Sequence, residues 1–320
     1  MSPPLDLHGI VVPIVTPVRR DGTVDVPGLK RLVAYTLNAG VHGIWVLGAT
    51  GDFDGLTDHE RDRAIEAVVE AVGRKVPVLA GCIEESPARS IERARRAEAL
   101  GADAVFATTP GFAPVSQAEV LTHFRRLKAG TSLPVVAYNA FYATQTPLPI
   151  ATIRTLAEEG TLAGLKDSAD FGDFRQLVVA LSDLKDFPIV TGIQFLADSA
   201  LLMGARGCIP PLGNVVPQWF VEVYDSARRG DWSHAAEAQN RIAAFNAVVR
   251  NWAPGASVFG AFFGMAMVAL NLLNVLEDVV VADPYPAPTA SQKAAVLENL
   301  RAFGLMPGAA TATPSEVRPV

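Results

Sequence analysis

Short apolar runs rich in β-branched residues alternate along the chain with longer segments of helical periodicity. The runs fall at 10–14, 43–47, 76–80, 104–107, 135–138, 162–166, 188–191 and 207–209. They are continuous rather than alternating, the pattern of strands covered on both faces in a parallel sheet. Amphipathic segments lie between them, at 57–72 and 86–100 for example. The second places Ile91, Ala94, Ala97 and Leu100 on one stripe. Thr57 with Glu60, and Ser116 with Glu119, have the spacing of capping boxes, and Gly101 and Gly130 sit where helices should stop. Eight such units predict an α/β fold, a (β/α)8 TIM barrel, with an open doubly wound sheet as the alternative.

After residue 217 the strand-like runs cease, and helical patterns occupy 217–229, 232–249, 257–276 and 291–303. The expected division is a catalytic barrel at 8–230, a C-terminal helical region at 231–304 and a disordered tail at 305–320. Residues 251–276 carry no charge, and Gly260 and Gly264 form a G-x-x-x-G step, so length alone permits a membrane span. Pro254, Ser257, Asn271 and Asn274 interrupt it and no Lys or Arg cluster flanks it. A buried helix packed through its glycines is the expectation, with no membrane partner.

Composition adds exclusions. Half the chain is hydrophobic and 19% charged, enough apolar material for a large core and incompatible with whole-chain disorder. The net charge is −6 and the basic residues are scattered in pairs, so no stripe exists for nucleic acid. Two cysteines, Cys82 and Cys208, make neither a disulfide framework nor a metal cluster. The N-terminus lacks the basic and apolar regions of a secretory signal, and a cytoplasmic protein is expected.

Barrel enzymes carry their chemistry at the C-terminal ends of the strands. That rule singles out Gly48–Asp52, Cys82, Thr108–Pro110, Tyr138–Asn139, Lys166–Ser168, Gly192–Gln194 and Pro210–Pro211. Lys166 closes an apolar run. Burial there would lower its amine pKa and make a nucleophile for a carbonyl carbon. The plainer alternative is a strand-end lysine paired with Asp167. Tyr138 likewise is either a proton-transfer group or an ordinary buried strand tyrosine.

Tyr138 in Val-Ala-Tyr-Asn, Lys166 in Gly-Leu-Lys-Asp-Ser, and Gly48-Ala-Thr-Gly-Asp followed by Leu56-Thr57 and Glu60 occur in a recognisable order and spacing. Together they resemble the dihydrodipicolinate synthase/N-acetylneuraminate lyase family of class I aldolases, from about His8 to Phe303. The resemblance implies that Lys166 forms a Schiff base with the keto carbon of pyruvate or a longer 2-oxo acid. Tyr138 would relay protons, and the Ala49-Thr50-Gly51 loop would bind the substrate carboxylate. It also implies Phe112, Gly192, Gln194 and Ile209 around the substrate, no cofactor and no metal, and a homo-oligomer, dimer or tetramer.

Departures from the family pattern narrow this expectation. Of two adjacent hydroxyl residues usual in the first loop only Thr50 remains, with Ala49 in the other place and Asp52 where glutamate is usual. Phe112 stands where a tyrosine is expected, and Ala143 where the synthases have an arginine for the aldehyde substrate's carboxylate. Losing a charged clamp costs far more than trading a methylene, so synthase activity is not expected. The loop Gly192-Ile193-Gln194-Phe195 is too apolar for a long polyol. Phe112, Phe141, Tyr142 and Phe195 are either an apolar outer pocket or packing and subunit contacts. The run from Gly192 to Val215 looks most like the 4-hydroxy-2-oxoglutarate and 2-keto-3-deoxy acid aldolases. Three readings stand at this point: a pyruvate-releasing aldolase, a Schiff-base dehydratase of a 2-keto-3-deoxy sugar acid, and a non-catalytic or repurposed barrel.

Overall fold

The computed structural model describes residues 5–250 and 257–306, without the side chains of 247–250. Its strands are β1 (Gly9–Pro13), β2 (Gly43–Val46), β3 (Val78–Gly81), β4 (Ala104–Ala107), β5 (Val135–Asn139), β6 (Gly164–Asp167), β7 (Ile189–Thr191) and β8 (Gly207–Cys208). All neighbours pair in parallel, in sequence order, and β8 returns to β1 to close the ring. The predicted barrel is therefore the fold, not the open sheet. Helices α1 (Val26–Asn38), α2 (Asp58–Val72), α3 (Pro87–Ala99), α4 (Gln117–Ala129), α5 (Phe141–Thr144), α6 (Ile150–Glu158), α7 (Phe171–Ala180), α8 (Ala197–Met203) and α9 (Pro217–Arg228) follow the strands.

Local chemistry accounts for the boundaries. β3 starts later than the expected 76 because Pro77 has no N–H to give the ladder; its carbonyl instead accepts the Ile44 N–H at 3.0 Å. Ser116 and Glu119 do form the full capping box of α4. The Thr57 hydroxyl also caps α2, but the Glu60 carboxylate turns away to the Val24 N–H at 2.6 Å, so that box is only half made.

Successive strand residues face opposite sides. Outward residues such as Val12, Ile44, Val105, Ala137 and Leu165 pack under the helices. The inward set, including Leu7, Val11, Trp45, Leu79, Phe106, Val136, Tyr138, Val190 and Ile209, fills the barrel. Trp45 and Phe106 stack inside it, centroids 3.6 Å apart and planes 18° from parallel. Each such ring contributes on the order of 3 kcal/mol by leaving water. They also make a solid floor beneath the strand ends.

Among the described residues three helices follow the barrel: α10 (Trp232–Arg250), α11 (Val258–Leu272) and α12 (Ala290–Ala302). The uncharged stretch is a mostly buried helix where it is described; Pro254 and the rest of 251–256 lie outside the described residues. α11 stops short of the expected 276 because Asn274 adopts a left-handed φ of 60° and the Asn271 amide donates to the carbonyls of Leu276 and Glu277. Among the described residues no helix is long and apolar enough to cross a membrane. The expected tail, beyond Met306, also lies outside them.

Asn214, fully buried after β8, ties the ends of the closing strands together. Its oxygen accepts the Val15 N–H at 3.0 Å, while its amide donates to the carbonyls of Pro13 at 2.9 Å and Pro211 at 2.8 Å. Removing it strands buried backbone groups from two loops. Asn214→Ala should therefore destabilise the fold by about 2–4 kcal/mol in denaturant titration; a loss below about 0.5 kcal/mol, the range of surface substitutions, would contradict this role.

Candidate active site

Lys166 ends the inward face of β6, directly opposite Tyr138 in the β5–β6 register. Its Nζ lies 4.0 Å from the Tyr138 ring centroid and 5.0 Å from that of Trp45. The residue is buried, and removal from water pushes its pKa down to about 7. Aromatic faces return at most about 2 kcal/mol to an ammonium. Leaving water costs several kcal/mol, so burial wins.

Asp167 does not rescue the charge. As the next strand residue it faces outward, accepts the Asn139 amide at 2.7 Å, and lines a separate cavity of about 620 Å³ outside the barrel. Burial raises its own pKa to about 6. The Lys166–Asp167 ion pair considered from sequence is absent from the geometry of the described residues.

Tyr138 is buried, and desolvation holds its phenol well above the ordinary value of 10. Its hydroxyl meets two others: Tyr142 Oη at 2.8 Å and the Ser168 side chain. Ser168 stands close to Gly192, whose missing Cβ is what makes room. A Cβ there would overlap the Ser168 hydroxyl and stand 2.9 Å from Lys166 Cε.

The loop after β2 is a tight 3-10 turn over Ala49–Gly51. Gly48 leads into it because a Cβ would come within 2.7 Å of Trp45 Nε1, a buried donor with no partner among the described residues. Gly51 N–H and Asp52 N–H close the turn, while its leading amides, those of Ala49 and Thr50, lie outside the turn's own bonds. Thr16 Oγ1 donates to the Gly51 carbonyl at 2.8 Å, and Thr50 is buried.

A cavity of about 400 Å³ opens above this floor, with Ala49, Thr108, Tyr138, Tyr142 and Ala143 in its wall. Phe112 lies on its rim, 89% exposed, on a loop whose Gly111 and Phe112 N–H groups both donate to Glu85 at 2.9 Å. Glu84, also in the wall, is neutralised by Arg61 at 2.7 Å and Arg89 at 3.0 Å. Ile209 belongs to the inward cluster with Trp45 and Tyr138. Gln194 is placed differently: its side chain accepts the Leu212 N–H at 2.7 Å and so ties two loops together. Sequence reasoning missed Trp45, Phe259 and Tyr285. The last two reach the cavity from α11 and the segment beyond it, which the strand-end rule does not cover.

A desolvated amine thus faces a phenol at the C-terminal mouth of a closed barrel, where barrel enzymes carry their chemistry. A sequence profile of the dihydrodipicolinate synthetase family matches residues 6–256, and the chain belongs to that family. Its relatives include an uncharacterised DapA-like lyase of Halobacterium salinarum, 35% identical over 75% of this chain and 78% of its own length. A 4-hydroxy-tetrahydrodipicolinate synthase of Methylobacterium radiotolerans is 32% identical over 74% and 78%. Among solved structures, the E. coli K12 prophage protein YagE, of the same family and in complex with pyruvate, superposes with a TM-score of 0.87. It is 26% identical, with 94% of this chain and all of that one covered.

Proposed function

We propose that the protein is a pyruvate-dependent class I aldolase, a carbon–carbon lyase that cleaves or forms a short 2-oxo acid through a Schiff base on Lys166. The observation that carries this is the amine itself, buried, facing Tyr138, with its pKa lowered to about 7. About half of it is neutral at pH 7, against roughly one in a thousand or fewer for a lysine in water. Pyruvate in complex with YagE supports the substrate class. The carboxylate would sit at the Ala49–Gly51 turn, where free leading amides and Thr50 suit an anion. With the iminium as electron sink, the C3–C4 bond breaks to an enamine and the 4-hydroxyl carbon becomes the aldehyde, its proton passing to Tyr138 as that phenol gives up its own to a neighbouring oxygen.

The acceptor side supports an aldolase of the 4-hydroxy-2-oxoglutarate or 2-keto-3-deoxy acid type over a dihydrodipicolinate synthase. Ala143 and Phe112 face the cavity where the synthases carry an arginine and a phenol. In this reading residues 8–230 are the catalytic barrel and 231–304 its helical region, in a cytoplasmic homo-oligomer. The exposed rings of Phe112 at the mouth and of Phe141 beside the outer cavity are in keeping with a neighbouring copy.

Two outcomes follow. Incubation with pyruvate and cyanoborohydride should add one adduct by intact mass, on the peptide containing Lys166, and Lys166→Ala should take up none. Since the folded pKa is depressed, the neutral amine accumulates as pH rises, so the initial trapping rate should climb through about pH 7 and level off above it. An adduct persisting in Lys166→Ala would overturn the assignment. In a coupled assay the wild type should release pyruvate from 4-hydroxy-2-oxoglutarate or a 2-keto-3-deoxy acid yet show negligible condensation with aspartate semialdehyde. Efficient semialdehyde condensation would overturn the reading of Ala143 and Phe112.

A further inference from the structure

Tyr138 has a chemical difficulty that its surroundings answer. A buried phenol that takes a proton must pass one on, because burial disfavours the phenolate. Five hydroxyl side chains line the cavity: Thr108, Tyr138, Tyr142, Thr144 and Tyr285. Of the other four, only Tyr142 is hydrogen-bonded to Tyr138 among the described residues, oxygen to oxygen at 2.8 Å. Thr144 is spent on the carbonyls of Ala140 and Thr146. On its other side Tyr138 meets Ser168, which stands half-buried against Gly192 and is not among the residues that line the cavity. Tyr142 faces outward, 54% exposed, at the cavity wall.

The backbone puts it there. After β5 the chain makes a single turn, α5, in which Ala143 and Thr144 N–H both donate to the Ala140 carbonyl, and Gln145 ends the turn at a left-handed φ of 57°. That turn brings position 142 back over position 138. The ring of Tyr142 is steadied by Phe259 of α11, centroids 6.4 Å apart.

We propose that Tyr142 is the second member of a two-phenol proton relay, carrying protons between the Tyr138 hydroxyl and water at the cavity mouth. It supplies a hydroxyl that Ala49 and Phe112, both in the cavity wall, do not. The inference rests on the Schiff-base reading and deepens it. When pyruvate is bound as the iminium, the C3–H bond breaks and its electron pair forms the C2–C3 double bond, neutralising the nitrogen. The proton goes to Tyr138 as Tyr138 passes its own to Tyr142 and Tyr142 passes one to water. Reversal of the same path returns a solvent proton to C3. Burial raises the pKa of both phenols, and the bond between them raises Tyr138 further while opposing the rise at Tyr142, so the outer oxygen is the better place for a transient negative charge.

Exchange of the pyruvate methyl protons in D2O, followed by proton NMR, tests this without knowledge of the aldehyde. Tyr142→Phe keeps the ring and should leave the trapped pyruvate adduct at its wild-type level while slowing exchange by about 10–100-fold. The double variant Tyr138→Phe/Tyr142→Phe should be no slower than Tyr138→Phe alone, because one broken link stops the relay. In Tyr142→Ala, which opens the mouth, added imidazole should restore exchange in proportion to its concentration, a response that lost packing would not give. Wild-type exchange in Tyr142→Phe, or multiplicative loss in the double variant, overturns the relay while leaving the Schiff base intact. Failure of the wild type to form an adduct overturns the Schiff-base reading, and the relay with it.

Discussion

Removal of one amine from water is the constraint on which the site depends. An ammonium at the end of β6 would need a carboxylate or solvent, and the barrel denies it both. The inward face offers the rings of Tyr138 and Trp45, and the nearest acid, Asp167, is turned to the outside by the pleat of its own strand. Cation–π attraction is too weak to offset this. The outcome is an amine with its pKa lowered to about 7, the state the proposed Schiff-base chemistry needs, produced by a strand register and by no special residue beyond the lysine.

Several features exist to keep that arrangement. The Trp45–Phe106 stack, with both rings fully buried, fills the barrel interior beside the amine. Gly192 leaves room for the Lys166 stem beside Ser168, and Gly48 for the indole of Trp45. Asn214, after the last strand, is bonded to the end of the first and so holds the ring shut. Two of the three carboxylates in the cavity wall are occupied as well: Glu84 by two arginines and Glu85 by the loop that carries Phe112. The cavity above the amine is therefore less acidic than its composition suggests.

Most of the fold was legible in the sequence, because buried parallel strands are continuous apolar runs and eight of them recur at a steady interval. The strand-end rule pointed to Lys166 and Tyr138, and the two are register partners. Other parts were not legible, for physical reasons. Trp45 looks like any apolar strand residue until the inward face is known. Phe259 and Tyr285 reach the cavity only through the packing of α11, which no local pattern encodes. The meeting of Tyr138 with Tyr142 needs a single helical turn at Phe141–Thr144, and that stretch has neither the length nor the capping residue that announces a helix. Gln194 sits on the right loop, yet its amide is drawn to Leu212. Glu60 has capping spacing, yet its carboxylate serves Val24. In both, a distant backbone group outbids the local one.

The state of the Lys166 amine is open to direct measurement. Protein labelled with carbon-13 at lysine Cε gives one resonance per lysine. The one absent from Lys166→Ala can be followed by NMR as pH is raised. A midpoint near 7 is the predicted result. A midpoint near the ordinary lysine value of 10.5 would contradict the account, because the barrel would then hold a charged lysine and the desolvation on which the site depends would not exist.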